Sequence, residues 1–218
     1  MWSLTGCSLF GHHHAATAPS LITPQIELQR LCWNSEGRAR FEAGGERHLV
    51  SFLSELIPAQ SLWRLAVQIP MKGEEVIELN YLQRKASWPS AEPHKKSAVS
   101  SSTPDGQFAR WQFLIEALSD FLSLSASKQV AAQCRDLGES RKWSCAVAET
   151  GREYEVQFGD GQLQIAGKLG DNTFKLHATQ LENKQNFYQI IEVQHVAQSV
   201  GPPVSAKFFV KSCQSPHD

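Results

Sequence analysis

No apolar run in the 218-residue chain exceeds a few residues, so the sequence encodes no transmembrane helix. Charge of one sign is missing too. Lys and Arg number 21 against 22 Asp and Glu, which leaves no net basic field to draw in nucleic acid. The basic clusters His94-Lys95-Lys96 and Arg141-Lys142 are expected to be solvated loops. Catalytic signatures are absent: there is no GxSxG, no HExxH, no phosphate loop and no nucleotide fingerprint. Gly159-Asp160-Gly161 and Gly167-Lys168-Leu169-Gly170 fit hairpin turns. His48, His94, His177, His195 and His217 are scattered, none in a triad pattern. No CxxC or Cys/His spacing points to zinc, and neither a metal nor a cofactor is expected. No internal repeat of 20–50 residues occurs. A non-catalytic binding or structural protein is expected, although missing motifs do not exclude an unfamiliar chemistry.

Five cysteines are present, Cys7, Cys32, Cys134, Cys145 and Cys213, an odd number for an oxidising compartment. The stretch Leu4-Thr5-Gly6-Cys7 looks like a bacterial lipobox. In that family a signal peptidase cuts before the cysteine, whose sulfur carries a diacylglycerol, and small residues such as Thr5 and Gly6 precede the cut. Only three residues stand before Leu4, so the charged and apolar regions of a signal peptide are expected upstream of Met1. Read literally from Met1, the chain would stay in the cytosol. Residues 11–20 are small and polar, the composition of a tether. His12-His13-His14 belongs to that segment and makes no shaped metal site. Lipidation of Cys7 leaves four cysteines, which allow three pairings. Cys134–Cys145 would close a short loop around Gly138, and Cys32–Cys213 would tie the first strand to the last. Four buried free thiols in a cytosolic protein remain the alternative.

Beyond the tether, hydrophobicity alternates with period two, the pattern of half-buried strands. Runs over 36–43, 47–56, 63–69 and 76–82 are separated by turn residues at hairpin spacing. Trp63, Leu65, Val67 and Ile69 share one face of the third run. The alternation vanishes over 84–106, where Ser, Pro, Lys and Ala dominate, and a disordered or mobile loop is expected there. Phe108, Trp111, Leu114, Ile115, Leu118, Phe121 and Leu122 recur at helical spacing and predict a helix over 108–124. A second helix is expected from Ser127 to about Leu137, stopped by Gly138. Strands are then expected over 142–148, 153–158, 162–167, 173–180, 187–196 and 205–212. The fold class is mainly β (α+β): an antiparallel curved sheet or incomplete β-barrel with a central helical insert. Residues 1–24 form the lipobox remnant and tether, 25–213 a single β-rich domain with its helical insert at 107–137, and 214–218 a tail.

This order of elements resembles that of bacterial lipoprotein carriers of the LolA/LolB type. The stretch from Glu36-Gly37-Arg38-Ala39-Arg40-Phe41 through Trp63-Arg64-Leu65 to Ile77-Glu78-Leu79 is similar to the opening strands of such proteins, as is Pro203 just before the last strand. The resemblance implies an incomplete barrel around a hydrophobic cavity, with helices over its open side and an acyl chain or lipid as ligand. The Ser/Pro insert and the four further cysteines depart from the family's usual members. Ser8, in place of an aspartate after the lipidated cysteine, implies sorting to the outer membrane, periplasmic side.

Trp63, Leu65, Val67, Ile69, Trp111, Ile115 and Leu118 are the candidate cavity residues, and each of them equally suits an ordinary core. The leading expectation is an envelope protein anchored to the membrane through lipid on Cys7, whose β-domain binds an acyl chain or lipid and takes part in its transfer. The second is a structural or docking lipoprotein that binds an envelope protein through sheet edges, with an exposed edge near Phe208-Phe209, or through the Ser/Pro loop.

Overall fold

The computed structural model describes residues 24–43, 45–71, 73–87, 105–126, 134–139, 141–169, 172–181, 185–197 and 204–214, with 43, 105–113, 169, 196 and 197 described for the backbone alone. A short helix, α1 (Pro24–Gln29), leads into β1 (Ser35–Ala43), β2 (Glu46–Ile57), β3 (Leu62–Ile69), β4 (Gly73–Asn80) and β5 (Lys85–Ser87). Helix α2 (Asp105–Ala126) follows. The chain returns as β6 (Cys134–Asp136), β7 (Lys142–Ala146), β8 (Glu153–Gly159), β9 (Gln162–Leu169), β10 (Asn172–Thr179), β11 (Ile190–Ala197) and β12 (Val204–Cys213). All twelve strands join one antiparallel sheet in the order β5-β4-β3-β2-β1-β12-β11-β10-β9-β8-β7-β6. The first and last strands therefore pair at the middle of the sheet, and the two outermost strands, β5 and β6, flank α2 in sequence.

Alternation decides the layering. In β8 the burial pattern is strictly exposed–buried, with Tyr154, Val156 and Phe158 inward. β2 buries Val50, Phe52 and Ser54, and β12 buries Val204, Ala206, Phe208 and Val210. These inward faces and α2 enclose one core. From Ala117 to Leu124 the helix is buried on every side, with Ser119, Asp120 and Ser123 inside together with the apolar residues. The sheet does not close into a barrel: among the described residues β5 and β6 do not pair, and α2 lies across the interior.

Several expectations need correction. Residues 134–136 are strand, not helix, so a second helix cannot reach Leu137. Cys134 sits directly opposite Cys145, and a disulfide joins them, so cross-strand pairing overrides the local helical pattern. Residues 127–133 lie outside the described residues. Within the expected loop 84–106, Lys85–Ser87 pairs with β4, and Asp105 and Gly106 belong to α2; residues 88–104 lie outside the described residues. Two three-residue strands thus raise the expected ten to twelve. Helix α1 was not foreseen. Cys32 precedes β1 rather than lying on it, though its disulfide to Cys213 does tie the start of the sheet to its last strand. Phe208-Phe209 is not at an edge. Its two rings do point to opposite faces, Phe208 4% and Phe209 37% exposed, but β12 is central.

Gly37 fixes the join between β1 and β12. The register shifts between Glu36 and Gly37, which pair with Ser212 and Val210, leaving Lys211 as a bulge residue. A Cβ on Gly37 would stand 2.0 Å from the Phe209 carbonyl oxygen, which is backbone and cannot give way cheaply. Gly37→Ala should cost at least about 1–3 kcal/mol, as overpacking does, measured as a lowered urea midpoint. An unchanged midpoint would mean that the β1–β12 contact is looser than described.

Candidate functional site

The interior was expected to hold a ligand, and most of the candidate residues are found there. Trp63, Leu65 and Val67 are buried on the inward face of β3, and Leu118 is buried on α2. Ile69 and Ile115 are partly buried against the same core. Trp111 lies on α2, its side chain outside the described residues, and Cys7 lies outside them entirely.

Aromatic packing fills this space. Trp63 meets Trp33 edge-on at 5.9 Å between ring centroids, and Phe208 contacts Phe52 at 5.3 Å and Trp63 at 6.4 Å. The Trp63 indole N–H donates to the Trp33 carbonyl at 3.2 Å, and the Trp33 indole to the Ser125 hydroxyl of α2 at 2.7 Å. Ser35 and Ser54, the polar pair on this face, satisfy each other at 3.0 Å. The void among Trp33, Phe52, Trp63, Ile191 and Phe208 measures only about 10 Å³, room for about one water. Small-ligand pockets run to about 300–1,000 Å³. The interior beside these strands is thus filled by the protein's own side chains.

What holds α2 there was not legible from spacing. Asp120 is fully buried in the middle of its apolar face. One carboxylate oxygen accepts from Arg84, at the turn between β4 and β5, and the other from Arg152 at 3.2 Å, just before β8. The Tyr154 hydroxyl donates to the second oxygen at 2.5 Å, and Arg152 also reaches Glu116 at 3.2 Å. Burial opposes the charge on Arg152, but the hydrogen bond and field of Asp120 outweigh it and raise its pKa. Breaking one partner out of such a buried set costs about 3–5 kcal/mol. The one signal in the sequence was an acidic residue inside the run Leu118-Ser119-Asp120-Phe121-Leu122.

A second polar set fastens α1. The Tyr188 hydroxyl, on a fully buried ring, donates to Glu27 at 2.5 Å, while Arg30 pairs with Glu27 at 2.9 Å and lies 5.1 Å from the centre of the Tyr188 ring. Elsewhere, His195 is buried, stacks on Phe174 and bonds Asn172 at 2.9 Å. His48 and His177 are exposed, and His94 and His217 lie outside the described residues. Arg141 and Lys142 face nearby carboxylates, Asp160 for the first and Glu139 and Glu155 for the second.

Two exposed features stand out. Met71 is fully exposed at the turn between β3 and β4, with a φ of 67° that side chains rarely adopt. A groove of about 1030 Å³ lies on the outward face of β2, β1, β12 and β11. No group of His, Cys, Asp and Glu among the described residues could hold a metal ion.

The chain's three tyrosines, Tyr81, Tyr154 and Tyr188, all have raised pKa values. Burial is the largest cause in each, joined by the carboxylates of Asp120 at Tyr154 and Glu27 at Tyr188. A folded-state pKa above the unfolded one gives stability that is full below the unfolded value, near 10.0, and is lost as pH rises toward the folded value. Tyr154 and Tyr188 should therefore stay protonated in the folded chain at pH 10–11, and their tyrosinate absorbance should appear together with unfolding. Titration of more than one tyrosine near pH 10 with the fold intact would contradict these placements. Comparison of the chain with family models, with curated proteins and with solved structures gives no match.

Proposed function

We propose that the chain is a membrane-anchored periplasmic lipoprotein, tethered to the outer membrane through lipid on Cys7, whose β-domain binds an acyl chain or lipid and takes part in lipoprotein or lipid transfer. One observation carries this reading. The sheet is rolled around an apolar interior yet left unclosed, and α2 rather than a strand ladder covers it. A strand ladder would seal the interior permanently, whereas a helix held by side chains can leave. Ligand and helix would then compete for one surface, which includes Trp63, Leu65 and Val67, while Leu118 belongs to the helix that leaves. The exposed Met71 supports the reading, since a polarizable apolar side chain at a turn tip suits contact with a bilayer or an acyl chain. Two disulfides support an oxidising compartment. A bilayer anchor fits a tether ending at Pro24, where α1 is clamped to the sheet.

The interior void of about 10 Å³ favours a second reading, a structural or docking lipoprotein without a small ligand. Native mass spectrometry of the chain purified from the periplasm, with organic extraction of what it carries, separates the two. The carrier reading expects fatty acid or phospholipid at near one per chain. Bare chain mass, together with failure to bind a fluorescent fatty acid, would overturn it in favour of docking.

A further inference from the structure

We propose that the groove on the outward face of the central strands binds an amphipathic anion, an acyl chain ending in one carboxylate, with the Arg38 guanidinium holding the carboxylate. The site is separate from the interior and does not rest on the interior's binding anything.

Pairing builds its floor. Arg38 stands opposite Ser51 of β2 on one side and Phe209 of β12 on the other, and Phe209 stands opposite Ile190 of β11. One row of outward side chains therefore runs across four strands, with a cation in it. Leu49 borders the row at 56% exposure and Leu181 walls it at 66%. Apolar side chains left open in one concave place mark a binding surface more than scattered ones do. The bulge at Lys211 bends the β1–β12 ladder beside Arg38, the kind of irregularity that re-aims side chains next to sites.

Charge selects the ligand. Lys207 of β12 is bound to Glu192 at 2.9 Å, Arg40 and Arg47 share Glu42 at 2.9 and 3.1 Å, and Lys211 faces Glu36 at 4.0 Å. Arg38 is exposed and has no acidic partner among the described residues. Glu36 and Lys211, the other charges that line the groove, face each other, so Arg38 beside Leu49, Ile190 and Phe209 leaves one positive charge that calls for one negative charge on an apolar body. An extended peptide fits less well. The floor is made of interior strands whose backbone groups are consumed by their own ladders, so a peptide's amides would find no strand edge. An acyl chain has no such groups to satisfy. A volume of about 1030 Å³ is ample for one.

The test is methyl NMR of the full chain with stearate that carries a nitroxide on its tail. The proposal expects broadening of Leu49, Leu181 and Ile190 methyls. Loss of the charge-assisted bond should weaken this binding by about tenfold or more, both in Arg38→Gln and for the methyl ester with the native chain. Arg38 is exposed, so the variant should keep the native spectrum in the absence of ligand. Broadening confined to interior methyls such as Leu118, Leu163 and Leu176 would overturn this site while supporting the carrier reading. No broadening anywhere would overturn both. Equal broadening of the groove by the ester, or in Arg38→Gln, would refute the role given to Arg38.

Discussion

One buried carboxylate sets the shape of this molecule. Asp120 of α2 accepts from Arg84 beside β4 and from Arg152 beside β8. Those strands are second and tenth of twelve in the sheet order, eight spacings apart. In a flat sheet, at about 4.8 Å per strand, they would lie roughly 38 Å apart. Two arginine side chains cannot span that distance, so the sheet must curl until its two flanks face one helix. The carboxylate therefore does what a ladder between edge strands does in a closed barrel, and does it through a removable element. Removing the charge would strip Arg84 of its ion pair and leave Arg152 with Glu116 alone, a costly loss inside a buried set.

The rest of the packing follows from that roll. Inward faces that would be half-buried on a flat sheet converge, and their aromatic side chains, Trp33, Phe52, Trp63 and Phe208, fill the centre. The outward face stays polar except over the middle strands, where Leu49 and Phe209 remain open. The disulfides act at two different places. Cys32–Cys213 locks the pairing of first and last strands at the centre, and Cys134–Cys145 pins the three-residue strand β6 to the rim. The centre thus rests on hydrogen bonds and covalent links, while the gap between the flanks rests on α2.

Much of the architecture was legible because it rests on local patterns. Strict alternation in 153–158 and 63–69, and the helical spacing of Leu114, Leu118, Phe121 and Leu122, each specify an element without help from the fold. β5 and β6 were missed because three residues carry no period, and such strands exist only where a neighbour recruits them. The expected helix through Leu137 failed for the same reason: local propensity gave way to a cross-strand partner. The candidate interior residues were legible as apolar positions, but not whether they enclose space or fill it, because that depends on where α2 docks. The Arg84–Asp120–Arg152 set was illegible, since its members are far apart in sequence and only the rolled sheet brings them together. Arg38 was likewise one of many charges on alternating positions until the pairing showed that its neighbours are matched and it is not.

The claim that Asp120 is the main fastening of α2 across the open sheet is tested most directly by hydrogen exchange on Asp120→Asn, which keeps the shape and a hydrogen-bond acceptor but removes the charge. The account predicts that α2 and the turns carrying Arg84 and Arg152 lose protection together, while β1 and β12 keep theirs. Unchanged protection of α2, or an equal loss throughout the sheet, would contradict it.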